Sequence, residues 1–326
     1  MILAPFSLHR PETLDEALAL ARTHAGSFDF IAGGPDLLQN YKNRLNVREH
    51  VISLERVPEL HGIDAHRIGA MERLSVVASH PVIRERHAGL ADAIGHVASP
   101  LVRNSGTIGG NLLVETRCYY FNQTHFWRDT KGSCMKAESD TCLVIPQKEI
   151  CYAAYSGDLA PILMVMDASV ELAGLGGRRT VKLTEFYRGD GIAKNVRQPD
   201  EIIVAISIPD DASTLRTGYR KLRIRDTLDY PEMGCAAAVE LAGDGTIRRL
   251  RAATTAVDVI PHYADFGAFA SRSPRDVIDL VAGEMEERAE PKKNTSMPVG
   301  YRKKMVRVYL RRLLHDLTEG RTVSAA

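Results

Sequence analysis

The segment Phe28-Asp29-Phe30-Ile31-Ala32-Gly33-Gly34-Pro35-Asp36-Leu37-Leu38 joins a short β-type run to a turn imposed by two glycines and a proline. A second turn of this kind is Thr107-Ile108-Gly109-Gly110-Asn111-Leu112. Glycine allows successive backbone N–H groups to point at one anion and places no Cβ in its way. Two such turns can hold one pyrophosphate between them, although each is equally compatible with a plain tight connection.

Two common nucleotide-binding motifs are missing from the sequence. Neither turn has the pattern G-x-G-x-x-G after a strand, and G-x-x-x-x-G-K-[ST] does not occur. A dinucleotide, if bound, is therefore expected in a fold other than the Rossmann fold or the P-loop fold.

Length and composition are those of an ordinary globular protein. The chain has 326 residues, of which 44% are hydrophobic and 25% charged, which excludes disordered, collagenous and small disulfide-rich classes. Its length suggests two domains or one with several lobes. With 42 Lys and Arg against 41 Asp and Glu, the net charge of +1 gives no overall attraction to nucleic acid.

The compartment is predicted from the N-terminus, the apolar stretches and the cysteine content. Residues 1–10 lack the features of a secretory signal, and the most apolar stretch, 159–168, is too short to span a membrane. Five cysteines without such a signal favour reduced thiols. We therefore expect a soluble, cytoplasmic protein without a nucleic-acid or membrane partner.

Hydrophobic periodicity predicts helices first and an antiparallel region later. Predicted helices cover 11–25, 36–44, 81–97, 158–167, 274–289 and the basic segment 301–317. Predicted strands cover 28–31, 51–54, 67–74, 169–173, 201–208, 218–225, 233–241 and 246–254, the last two joined by a turn at 243–245.

Four of the five cysteines fall in one irregular segment. Cys118, Cys134, Cys142 and Cys151 have the spacing C-x15-C-x7-C-x8-C, in a lobe of weak periodicity at about 115–155. Four thiolates suit zinc or an iron–sulfur cluster, and the spacing selects neither. Four packed thiols without a metal are the plain alternative. Cys235 lies in an apolar run and is expected in the core.

Two further polar patterns have modest explanations when taken alone. Ser156-Gly157-Asp158 precedes an apolar helix, where a cap is the default interpretation. Lys221, Arg225 and Asp229 would share one face of a strand and reach either a ligand or solvent. The histidines at 61, 66, 80 and 87 have no metal-ligand spacing, and no residue is singled out as a catalytic acid or base.

Together the two glycine turns, Ser156-Gly157-Asp158-Leu159 and the Lys221 pattern resemble the FAD-binding subunit of the molybdenum hydroxylase (xanthine dehydrogenase) family. The resemblance covers about residues 1–290. It implies an α+β fold, with two α/β subdomains that bind FAD and a C-terminal domain built on an antiparallel sheet. The implied boundaries are 1–55, 56–176 with the Cys-rich insertion, 177–290, and a basic helical tail at 291–326.

The resemblance also assigns cofactor residues. The diphosphate is held by the two turns, Asp158 and Lys221 contact the ribityl and isoalloxazine region, and Ile203 packs near the ring. Pro35 replaces the usual Thr or Ser and removes one donor. The implied FAD residues are Ile31, Ala32, Gly33, Gly34, Pro35, Asp36, Leu37, Thr107, Ile108, Gly109, Gly110, Asn111, Asp158, Ile203 and Lys221.

The Cys-rich insertion is similar to that of the flavoprotein subunits of 4-hydroxybenzoyl-CoA reductases, in which four cysteines bind a [4Fe–4S] cluster. This similarity implies Cys118, Cys134, Cys142 and Cys151 as cluster ligands. It further implies a ferredoxin donor, a small subunit with [2Fe–2S] clusters, a large subunit with the molybdenum cofactor, and a dimer of heterotrimers that degrades aromatic compounds anaerobically.

Three alternatives remain open at this point. One is the FAD subunit of another cluster-bearing molybdenum dehydrogenase with a different substrate. Another is a self-standing flavin enzyme, and the third is a structural protein that holds zinc through its cysteines.

Overall fold

The computed structural model describes residues 3–137 and 139–321. Its helices are α1 (Leu14–Thr23), α2 (Leu37–Lys42), α3 (Leu74–Ser79), α4 (Pro81–Arg86), α5 (Ala88–Gly95), α6 (Pro100–Arg103), α7 (Ile108–Leu112), α8 (His125–Lys131), α9 (Leu159–Val165), α10 (Pro274–Arg288) and α11 (Val299–Thr318). Its strands are β1 (Ser7–His9), β2 (Phe28–Ile31), β3 (His50–Ser53), β4 (Arg67–Gly69), β5 (Ser169–Gly174), β6 (Gly177–Lys182), β7 (Ile202–Ser207), β8 (Arg216–Leu222), β9 (Met233–Leu241), β10 (Ile247–Thr255) and β11 (His262–Asp265).

The N-terminal unit is a parallel sheet of order β1-β3-β2. Helix α1 covers it with a face of four buried residues at helical spacing. Its first turn is closed by Thr13, whose Oγ1 accepts a hydrogen bond from the Glu16 N–H. The first glycine turn follows directly after strand β2, as the sequence predicts.

The middle unit combines short helices with an antiparallel sheet of order β4-β7-β5-β6. All seven residues of α9 are buried in its core. The predicted boundary at 176 is wrong, because β6 and β7 complete the sheet that contains β5. A boundary at 176 would divide one hydrogen-bonded sheet, so the middle unit continues through β7.

Two predicted elements in the middle unit are also wrong. The expected strand 67–74 ends at Gly69, and the chain then enters α3. The expected helix 81–97 is divided at His87, whose backbone angles of φ −137° and ψ 47° are not helical. His87 is buried, so packing against its surroundings overrides the helical periodicity there.

The C-terminal unit is an antiparallel sheet of order β11-β10-β9-β8, covered by α10 and α11. The segment 291–326 is predicted as a separate basic tail, but α11 packs onto this sheet through Val306, Leu310, Leu313, Leu314 and Leu317. Its basic side chains 304, 307, 311 and 312 lie on the exposed face. No helix among the described residues is long and apolar enough to cross a bilayer.

Candidate functional site

The two glycine turns pack against each other. A Cβ on Gly33 would lie 1.6 Å from the carbonyl oxygen of Ser105, so only glycine allows this approach. Gly34 has a φ of +82°, a conformation that other residues rarely adopt. On the second turn, a Cβ on Gly110 would lie 3.9 Å from the Ala32 Cβ. The pair therefore forms one continuous glycine-lined surface.

The backbone donors of the two turns differ in availability. In the first turn, the N–H groups of Ala32, Gly33, Gly34, Asp36 and Leu37 have no hydrogen-bond partner among the described residues. Such a run of unpaired amides beside the start of a helix is a ready site for an anion.

The second turn uses most of its amides internally. The N–H groups of Ile108 and Gly109 donate to the carbonyls of Glu72 and Ala70, and the Gly110 N–H donates to Thr107 Oγ1 at 3.1 Å. Asn111 Oδ1 accepts from the Leu159 N–H at 3.0 Å, which ties the turn to α9. The second turn thus lines the site without offering many N–H donors, whereas the first turn offers unpaired backbone N–H groups.

A cleft of about 690 Å³ opens over this surface and is lined by residues of both turns. That volume lies within the range of small-molecule and cofactor sites. Thirteen of the fifteen residues predicted to bind FAD line it: Ile31, Ala32, Gly33, Gly34, Pro35, Asp36, Leu37, Thr107, Gly109, Gly110, Asn111, Asp158 and Ile203. The missing two are Ile108, whose side chain is buried in the middle core, and Lys221.

Lys221 lies behind the cleft wall rather than in it. Its side chain is 1% exposed and its Nζ lies 3.0 Å from Asp158 Oδ1. The Asp158 carboxylate also accepts from the Tyr219 hydroxyl at 2.8 Å and makes no capping bond to α9. The Lys221 ammonium thus holds the carboxylate that lines the cleft, and a contact of Lys221 itself with a ligand stays a prediction.

The predicted face of Lys221, Arg225 and Asp229 is not formed. Strand β8 ends at Leu222, and Arg225 pairs with Asp229 in the exposed loop that follows. Residues four apart share one face only while the strand continues, and β8 stops before Arg225.

Two cations of the cleft have no motif in the sequence. Lys194 and Arg197 lie in the irregular segment before β7 and line the cleft. Lys194 Nζ lies 3.2 Å from Glu115 Oε2, and burial lowers the pKa of Arg197. Loop residues of this kind show no periodicity, so only the folded chain places them beside the glycine turns.

The four clustered cysteines surround one small buried cavity. Cys118, Cys134, Cys142 and Cys151 all line it, together with Lys136. Burial, and to a lesser degree the proximity of the other three cysteines, raises the pKa of Cys118 to about 12. Burial likewise raises the pKa of Cys151 to about 11. Four convergent thiols in a site that disfavours free thiolates suit a group whose positive charge stabilises sulfur anions.

The cysteine lobe is joined to the first glycine turn by charged contacts. Asp36 accepts from the Glu115 N–H at 2.9 Å and from the Tyr230 hydroxyl at 3.1 Å, and it pairs with Arg117. Glu115 in turn pairs with Lys136 at the cysteine cavity. The cavity and the cleft therefore share one network.

The architecture and the cleft define a flavin-dinucleotide-binding subunit. The family model described as "FAD binding domain in molybdopterin dehydrogenase" matches residues 4–211, and the chain belongs to this family. It is an FAD-binding subunit of the molybdenum hydroxylase type.

Relatives and solved structures agree with this assignment. The FAD-binding subunit of aldehyde oxidoreductase from Escherichia coli K12 is 32% identical over 256 residues, covering 74% of this chain and 80% of that protein. The carbon monoxide dehydrogenase medium chain of Hydrogenophaga pseudoflava is 30% identical, covering 79% of this chain and 76% of the relative.

A carbon monoxide dehydrogenase structure from the same organism, one that lacks the Mo-pyranopterin moiety, superposes with a TM-score of 0.80. Identity is 25%, over 99% of this chain and 100% of the other. The expected α+β fold, with its antiparallel C-terminal sheet, is thereby confirmed.

Proposed function

We propose that this chain is the FAD and [4Fe–4S] subunit of a 4-hydroxybenzoyl-CoA reductase. In this role it passes electrons from reduced ferredoxin to a molybdenum-containing partner, which removes the phenolic hydroxyl of 4-hydroxybenzoyl-CoA to form benzoyl-CoA. The observation that carries the proposal is the cavity lined by Cys118, Cys134, Cys142 and Cys151 beside the flavin cleft.

The arrangement of the thiols favours a cluster over a single zinc ion. A tetrahedral zinc site brings four sulfurs within about 2.3 Å of one point. Among the described residues, the four cysteines do not form a group whose ligand atoms converge closely enough for one ion. They instead line one shared cavity, and their wider spacing is that expected around a polynuclear group rather than around one ion.

Residues around the cavity suit an anionic sulfur cluster. Lys136 lines the cavity with its side chain only 4% exposed, and its ammonium pairs with Glu115. A buried cation next to thiolates offsets their charge, and the cation needs Glu115 as its own partner. When bound, the cluster accepts single electrons and the flavin one or two. The protein supplies the burial, the hydrogen bonds and this cation.

The expected partners follow from the same role. A small subunit with [2Fe–2S] clusters and a large molybdenum subunit complete the enzyme, in a cytoplasmic dimer of heterotrimers. Substrate chemistry then takes place on the large subunit, and we assign no catalytic acid or base to this chain. The isolated subunit is expected to leave 4-hydroxybenzoyl-CoA unchanged.

A second candidate keeps the subunit role and changes the substrate. Relatives are named for carbon monoxide, nicotinate and aldehyde oxidation, although they share the FAD-binding domain. A cluster-bearing dehydrogenase of another substrate would need the same cysteine cavity. Turnover by the assembled complex with 4-hydroxybenzoyl-CoA and with simple aldehydes separates the two.

The first test is anaerobic purification followed by iron, sulfide, zinc and flavin analysis of one sample. One FAD with about four iron and four sulfide per chain is expected. Cys134→Ser should lose the iron and keep the flavin, whereas the control Cys235→Ala, a core position 0% exposed, should keep both. Zinc without iron or sulfide in the wild type, lost in Cys134→Ser, would contradict the cluster.

The second test addresses electron entry. Reduced ferredoxin should reduce the flavin of the wild type, and the rate should fall at least tenfold in cluster-free Cys134→Ser. An unchanged rate in that variant would exclude the cysteine lobe as the entry point, even if a cluster is present.

A further inference from the structure

Three histidines from separate segments meet on the N-terminal unit. His9 ends β1, His50 begins β3, and His24 follows the last residue of α1. In the parallel pairing Ser7 lies opposite His50, so His9, two residues further on, lies diagonally on the same face. The turn from α1 to β2, with Gly26 at φ +81°, brings His24 against them.

The three rings are in direct contact. The His24 and His50 rings stack with centroids 3.7 Å apart, and the His9 ring lies 4.8 Å and 5.2 Å from them. His9 Nε2 and His50 Nδ1 are 3.1 Å apart, at hydrogen-bond distance. One ring nitrogen from each residue lies within 4.8 Å of the other two, and all three residues are half-buried.

This convergence is selective. In residues 3–137 and 139–321, no other group of three or more His, Cys, Asp or Glu side chains brings its ligand atoms together closely enough for one ion. Neutral imidazoles carry the lone pairs that metals need.

We propose that His9, His24 and His50 bind one divalent transition-metal ion, with solvent completing its coordination. A set of imidazoles without carboxylates suits Zn²⁺, Cu²⁺ or Ni²⁺ rather than Mg²⁺ or Ca²⁺. Zn–N bonds of about 2.0–2.1 Å place tetrahedral ligands roughly 3.4 Å apart, so the stacked His24 and His50 rings must rotate until both lone pairs point at the ion.

The ion would cross-link three segments of the N-terminal unit. It links the end of β1, the start of β3 and the turn that leads into β2. Strand β2 runs straight into the first glycine turn, so the metal stabilises the segment on which that turn depends. This site lies apart from the cysteine lobe, and the proposal does not depend on the proposed function.

The test uses tag-free wild-type protein, stripped with a chelator and then titrated with ZnCl₂ by calorimetry. Metal content is measured after dialysis. His24→Gln removes one ligand, His50→Gln is a second variant, and His315→Gln on the exposed side of α11 is the matched control. Flavin content and melting temperature in EDTA show whether each variant is folded.

The wild type and His315→Gln should each bind one zinc ion more per chain than His24→Gln or His50→Gln. Affinity at this site should fall at least tenfold in the variants, and zinc should raise the melting temperature only where all three ligands are present. Zinc held by the cysteines is common to all four proteins and cancels in the comparison. Equal zinc affinity and content in all four, or wild-type binding only at millimolar zinc, would show that the rings merely pack together.

Discussion

Lys221 Nζ lies 3.0 Å from Asp158 Oδ1, with the two side chains 1% and 5% exposed. The lysine also donates to the His96 carbonyl at 3.1 Å, and Tyr219 donates to the same carboxylate. One face of Asp158 thus belongs to the flavin cleft and the other to a buried ion pair. The orientation of a cleft residue therefore depends on charges that the cofactor does not need to touch.

Lys221→Met should destabilise the protein by about 3–5 kcal/mol, because it leaves the Asp158 carboxylate buried without its cation. The double variant Asp158→Asn with Lys221→Met should recover most of that loss, since both charges are then removed. Urea unfolding of the two single variants and the double variant measures the coupling. If the double variant loses the sum of the single effects, the pair does not act as a unit.

Gly33→Ala should abolish stable flavin binding. The new Cβ would meet the Ser105 carbonyl oxygen at 1.6 Å, so the first glycine turn must move away from the segment that leads into the second. Gly95→Ala is the control, because a Cβ there meets nothing within 4 Å at the end of α5. That control should match or exceed the wild type in stability by up to about 1 kcal/mol. Bound FAD is measured by absorption after gel filtration, and wild-type flavin content in Gly33→Ala would disprove the packing argument.

Glu115 should contribute stability that disappears in acid. Burial raises the pKa of Glu115, but the ammonium groups of Lys194 and Lys136 outweigh it and hold the pKa well below its ordinary value. The stabilisation is then complete above the unfolded pKa of about 4.3 and is lost as pH falls below it.

Glu115→Gln is therefore expected to cost about 1–3 kcal/mol near pH 7, and the difference from wild type should shrink below about pH 4. Urea unfolding across this pH range measures it, with the exposed Glu287→Gln as control. A difference that stays constant down to about pH 3 would be inconsistent with a depressed pKa.

Arg128 should hold the cysteine lobe against α2. Its guanidinium donates to the carbonyls of Asn43, Arg44 and Gln123, at 3.2, 3.1 and 2.6 Å. Lysine keeps the charge but lacks the planar fork, so Arg128→Lys should speed limited proteolysis within 115–155 several-fold. Lys131→Gln, at the exposed end of α8, is the control. Identical cleavage rates in both variants would rule out this anchoring role.

Local patterns predicted much of the fold correctly. Strands 28–31 and 233–241 agree with the structure at both ends, and the two glycine turns occur where the sequence indicates. Strand 28–31 is rich in aromatic and β-branched residues, strand 233–241 is a continuous apolar run, and the turns contain adjacent glycines, so each is indicated by residue types that act locally. Prediction failed at residues 70–74 and at His87, where packing rather than propensity decides the backbone.

The candidate site was predicted unevenly for a similar reason. The glycine residues carry a local signature, but Lys194, Arg197 and the His9, His24 and His50 group have no informative spacing. Lys221 belongs to the pattern that the sequence indicates, but its ammonium pairs with Asp158 and does not line the cleft. The spacing of residues along the chain does not show whether a side chain will face the cleft or the protein interior.

Residue identities in short motifs were enough to indicate the family, the glycine turns and the four clustered thiols. The folded structure was needed to show that the turns pack together, that the cysteines line one cavity, and that Asp36 links that cavity to the cleft. These relations are contacts between segments that are far apart in the sequence. Such contacts form only when the whole chain packs.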